Sequence, residues 1–135
     1  MDALHLSSEL DFQDFISDPG QTEIIDSETF RDGQWRDLTR QSNFKPSVNK
    51  FVIPVNIAQA KFLVLTEVEG PTTVKSHAHS EPILRFVISG RFKLNGKAYS
   101  PGDWVYVPAG ADYEISTEEG YTALMPYGEP CNPPA

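Results

Sequence analysis

The sequence predicts an all-β domain, a sandwich or closed barrel, with a short helical arm at its N-terminus. Three observations carry this reading. Gly and Pro, 9 and 11 of 135 residues, punctuate the whole chain. Between them lie short runs rich in β-branched and aromatic residues. The runs are evenly spaced, and no long helical period interrupts them, which suits a strand array.

The first 45 residues read as an arm, polar, acidic and poorly patterned. In SSELDFQDFIS, Leu10, Phe12, Phe15 and Ile16 are partly at helical spacing, and Ser8 with Asp11 resembles a capping box. The arm is expected to carry one short helix and to pack on the barrel or on a second subunit. Residues 46–128 form the barrel. Candidate strands are 48–57, 61–68, 72–79, 83–89, 91–95, 103–108, 112–116 and 121–125. Gly70-Pro71, Asn95-Gly96 and Pro101-Gly102 bound them, and Asn95-Gly96 signals a tight hairpin. Residues 129–135 are a Pro-rich tail, extended or loose.

Composition excludes several functions. Acids outnumber bases 19 to 11, giving a net charge of −8. Nucleic acid and anionic membrane surfaces both call for a basic face, so neither is expected as a partner. The single cysteine, Cys131, allows no disulfide framework and no Cys-type zinc site. The acidic start is unlike a signal peptide, and the longest apolar stretches, such as 62–65, are far short of a membrane span. A soluble, cytoplasmic protein is the expectation.

Two of the three histidines sit in one phrase, SHAHSEPILRFVISG. Alternate residues of a strand share a face, so His77 and His79 project to one side. Two neutral imidazoles placed so can grip one metal ion. If the chain stays extended to Pro82, Glu81 adds a carboxylate to the same face. The plainer alternative is a hydrogen-bonded pair of histidines. On the strand that follows, Ile83, Arg85, Val87 and Ser89 share one face and Leu84, Phe86 and Ile88 the other.

The phrase and a second one, PGDWVYVPAG, resemble the two motifs of the cupin superfamily. The first maps onto Gly70, His77, His79 and Gly90, the second onto Gly102, Pro108 and Gly110. The resemblance covers about residues 60–115. It implies a cupin-type jelly-roll β-barrel with His77 and His79 pointing into its cavity. Resembling families include dioxygenases, isomerases, epimerases and cyclases, and others only bind a ligand. Many are homodimers in which an N-terminal segment adds to the partner's sheet, so a homodimer is expected here.

The departures bear on chemistry. One extra residue separates Gly70 from His77. Ile83 stands at the family's glutamate position, Tyr113 at its third histidine and Thr117 at its asparagine. Glu81 is the candidate replacement for the missing carboxylate, and Tyr113 is a candidate ligand or substrate partner. Two histidines and a carboxylate would suit non-haem Fe(II) or another divalent ion.

If the glutamate position faces the cavity, so does Arg85. A buried guanidinium is costly unless paired, so it calls for an acid or a carboxylate ligand. The alternative leaves it at the rim. Trp104 and Tyr106 share a strand face and are candidates to line a substrate pocket, or simply core. His5 is read as surface and Cys131 as a bystander. Three functions stay open. One is a metal-dependent enzyme acting on a small organic acid or ketone, with metal on His77, His79 and Glu81. The second is a metal-free isomerase or cyclase with a histidine as base and Tyr113 as acid. The third is a non-catalytic small-ligand module using Arg85 as its cation.

Overall fold

A computed structural model describes residues 6–17, 20–41, 44–57 and 60–128. His5, Cys131 and the tail 129–135 lie outside the described residues. The strands are β1 (Ile25–Asp26), β2 (Phe62–Val68), β3 (Thr72–His77), β4 (Ile83–Gly90), β5 (Phe92–Leu94), β6 (Lys97–Tyr99), β7 (Trp104–Val107), β8 (Tyr113–Thr117) and β9 (Tyr121–Tyr127). Among the described residues one α-helix, α1, spans Trp35–Thr39. The chain is therefore mostly β, as its composition and breaks lead one to expect. Two antiparallel sheets form, ordered β1-β7-β4-β9-β2 and β3-β8-β5-β6, and they do not close into a continuous barrel. No described helix is long and apolar enough to cross a membrane.

Alternation decides what each face buries. Ile83 and Val87 of β4, Val105 and Val107 of β7, and Ala123 and Met125 of β9 point between the sheets. There they meet Phe92, Leu94, Tyr99, Tyr113 and Ile115 from the other sheet. The opposite faces of β4 and β7 carry Leu84, Trp104 and Tyr106, a second core covered by Leu10, Ile16, Phe30, Trp35 and Leu38 of the arm and by Val55. Tight turns need particular glycines. Gly90 has φ of 75°, and a Cβ there would collide with the Gly120 carbonyl oxygen.

The N-terminal part of the chain departs from its sequence reading in three respects. Its helical turn is a short 3₁₀ segment, Phe12–Asp14, capped by Asp11 and Asp14 rather than by Ser8. Segment 48–57 is not a strand; it makes a single parallel bridge, Val55 with Ile16, and its buried Pro54 has no amide to donate to a ladder. Ile25–Asp26, read as arm, pairs with Val105 and Tyr106 as an edge strand.

Asp26 fastens this arm. Its Oδ1 accepts from the Glu28 and Thr29 amides at 2.9 and 3.0 Å and from the Thr29 hydroxyl at 3.1 Å. Its Oδ2 accepts from the Tyr99 hydroxyl and meets the Lys97 ammonium at 2.8 Å. Burial alone would raise the Asp26 pKa; the bonds from Lys97, Tyr99 and the Glu28 amide outweigh it and hold the carboxyl below its ordinary value. Because the folded value is the lower one, this stabilisation is complete above about pH 4 and fades as pH falls through the folded value. Asp26→Asn is expected to cost about 2 kcal/mol at neutral pH. In urea melts at falling pH, the gap between variant and native protein should close only below about pH 4; a gap independent of pH would refute this role.

Candidate functional site

The site is built at one end of the jelly roll, where β3 and β8 run side by side. His77 and Tyr113 are direct cross-strand partners. The register slips between Val74 and His77, so β3 holds one more residue than β8 across this stretch. That bulge absorbs the extra residue between Gly70 and His77. Lys75 and Ser76 are both exposed, after which His77 turns inward again. The bulge also supplies a carbonyl. His77 Nδ1 lies 2.8 Å from the Lys75 oxygen, and since a carbonyl only accepts, Nδ1 carries the hydrogen. His77 Nε2 is thereby aimed into the cluster.

His79 lies past the end of β3, in a loop held by the Gly110 amide, which donates to the His79 carbonyl at 2.9 Å. Gly110 has φ of 81°, a conformation open to glycine. The two Nε2 atoms stand 3.1 Å apart, and His79 Nε2 is 2.9 Å from the Tyr113 hydroxyl. Ring centroids are 4.6 Å apart for His77 and Tyr113 and 5.8 Å for His79 and Tyr113. A single proton shared between the two Nε2 atoms satisfies the pair. Burial, then the like charges of His77 and Arg85, hold the His79 pKa below its ordinary value, so this ring is neutral at pH 7.

Arg85 does face the interior, between its β4 neighbours Ile83 and Val87, and is 6 % exposed. Its guanidinium carbon lies 5.9 Å from the Phe92 ring centre and 5.7 Å from that of Tyr113. Nε and Nη1 are sealed from solvent and have no hydrogen-bond partner. The rim placement is thus excluded.

Other expected members fall elsewhere. Glu81 does not join the histidines, because β3 ends at His77 and the alternation does not run on to Pro82. It lines an outer cleft with Val55, Leu84, Tyr106 and Pro126. Trp104 and Tyr106 pack beneath the arm, on the sheet face opposite Arg85; Trp104 sits edge-on to Trp35 at 5.8 Å. Tyr106 also lines the outer cleft that holds Glu81.

Comparison with known proteins bears on this arrangement. A family model described as the ChrR cupin-like domain matches residues 29–129. The chain belongs to the ChrR cupin-like family. No curated protein matches it in sequence. Among solved structures, an acireductone dioxygenase from Bacillus anthracis with cadmium in its active centre is similar at 21 % identity, over 52 % of each chain, with a TM-score of 0.43. A complex of Rhodobacter sphaeroides SigE with the anti-sigma ChrR gives 17 % identity over 62 % of this chain and 46 % of that one, TM-score 0.43. The SPY1581 protein of Streptococcus pyogenes gives 11 % over 98 % of both, TM-score 0.42. The first of these matches spans only about half of the dioxygenase.

A divalent ion is what cupin relatives lead one to test here. The 3.1 Å spacing of two Nε2 atoms would let both face one ion with bonds of about 2.0–2.1 Å. The rest of the donor set does not fit. Among the described residues no three His, Cys, Asp or Glu side chains gather to hold a metal. The position that offers a carboxylate in cupins is Ile83, and the inward residue beside it is cationic. The expected set of His77, His79 and Glu81 is therefore not assembled in this ChrR cupin-like chain.

Since Arg85 has no acceptor for two of its donors, its charge costs stability rather than adding it. Arg85→Met keeps the apolar stem and removes that cost. Chemical denaturation should show it neutral or stabilising by about 1 kcal/mol. A loss of several kcal/mol would mean that Arg85 is a paired structural group.

Proposed function

We propose that this ChrR cupin-like chain binds a small organic acid, with Arg85 taking its carboxylate and the His77–His79–Tyr113 cluster exchanging a proton with the adjoining carbonyl or hydroxyl. The observation that carries this reading is the buried guanidinium with two unpartnered donors beside a ring cluster. A guanidinium satisfies a carboxylate with short charge-assisted bonds. A neutral His79 can accept a proton near neutral pH, and the Tyr113 hydroxyl can donate one. Such a site suits enolisation, isomerisation or cyclisation without a metal.

The test is thermal denaturation with a panel of small mono- and dicarboxylates, 2-oxo and 2-hydroxy acids, followed by a turnover assay on each acid that binds. At least one acid should raise the melting temperature of the native protein and leave Arg85→Met unmoved. Conversion of that acid, abolished in His79→Ala and Tyr113→Phe, marks an enzyme; binding without conversion leaves a ligand module. Stabilisation by divalent ions alone, lost in His77→Ala, would overturn the reading in favour of a dioxygenase-type metal site. No response to any acid would overturn it as well.

A further inference from the structure

β2 is the end strand of the five-stranded sheet, and among the described residues nothing pairs with its outer edge. Its register against β9 runs unbroken from Phe62 opposite Tyr127 to Val68 opposite Tyr121. It therefore has neither the bulge nor the proline that usually blunts an edge. It is also apolar where it meets water: Leu63 is 67 % exposed and Leu65 56 %. Ile88 of β4, 44 % exposed, extends the apolar surface beyond the reach of the arm.

The side-chain pattern of this edge is complementary to itself. Outward-facing positions read Lys61, Leu63, Leu65, Glu67. Turned antiparallel about Val64, the strand places Lys61 opposite Glu67 and Leu63 opposite Leu65, each twice. On the inner face Phe62 comes opposite Thr66, and Val64 opposite itself. We infer that β2 pairs with β2 of a second copy across a two-fold axis at Val64, joining two five-stranded sheets into one. Two chains of net charge −8 repel, so association needs local matching of sign, and the two Lys61–Glu67 pairs supply it. The arm is not available for this purpose, since Leu10, Ile16, Phe30 and Trp35 are spent on its own sheet. The inference is independent of the ligand site, none of whose residues lies on β2.

Sedimentation velocity on the full chain from low to high micromolar concentration tests it. The native protein should show a monomer–dimer equilibrium. K61E or E67K alone puts like charges opposite each other twice and should weaken the dimer by roughly tenfold or more. K61E/E67K restores opposite signs and should recover most of the affinity. Leu65→Lys should leave monomer. All three positions are exposed, and near-ultraviolet circular dichroism from Trp35 and Trp104 verifies that each variant is folded. A native protein monomeric throughout overturns the inference, as does a dimer indifferent to these substitutions or one that the double reversal fails to restore.

Discussion

Both faces of the β4–β7 pair are buried, and much of the molecule follows from having to cover them. One face is closed by the second sheet, the other by the arm together with Val55. A strand buried on both sides reads as a nearly continuous apolar run, as ILRFVI and WVYV do. The arm has little regular structure of its own and so depends on what it packs against. It is held by Trp35 and Phe30 on Trp104 and by the many bonds of Asp26. The arm covers β7 and β4, whereas the outer faces of Ile88 and of Leu63 and Leu65 on β2 stay exposed.

The same alternation that buries Ile83 and Val87 buries Arg85. A guanidinium there loses its hydration. Two aromatic rings within 6 Å return part of that loss, on the order of 1–2 kcal/mol each at most. They do not satisfy Nε–H and Nη1–H, which need acceptors. A positive charge at this depth also disfavours a second one, which is why Arg85 joins burial in keeping His79 neutral. The interior end of the jelly roll is thus electropositive and rich in donors, the opposite of a cage for a divalent cation. An anionic guest answers both needs at once.

Strands β2 to β5 and β7 to β9 were legible because each is a short β-branched run closed by a Gly or Pro turn, a local signal; β6, Lys97–Tyr99, was not read as a strand, although Asn95-Gly96 announces the hairpin that leads into it. The inward face of Arg85 was legible from alternation alone. What failed depended on partners. Segment 48–57 has the composition of a strand but no neighbouring edge to pair with beyond Ile16. Glu81 looked like a third ligand only while β3 was assumed to run past His77. Trp104 and Tyr106 share a face and pack as core, one of the two readings open for them, but nothing in the arm's sequence announces that it is the arm that covers them. One signal was present and unused: the extra residue before His77 is the mark of a bulge, and the bulge sets both the direction of His77 and the tautomer it keeps.

The residues by which the chain resembles cupins and those by which it departs from them have different physical roles. Gly90 and Gly110 meet demands of the backbone: a positive φ at both, a close approach at Gly90, an amide aimed at the His79 carbonyl from Gly110. A side chain at Gly90 would collide with Gly120, and a positive φ favours glycine at both, so these two positions serve the fold whatever the cavity does. Positions 83 and 113 carry no such demand. Ile fits at 83 as well as Glu, since an apolar side chain packs there with no charge to desolvate, and a Tyr ring at 113 fills the space of an imidazole and adds a hydroxyl. Ligand positions can therefore change while the scaffold stays intact. Membership in the family accordingly describes the backbone, and the chemistry has to be sought at Ile83, Arg85 and Tyr113.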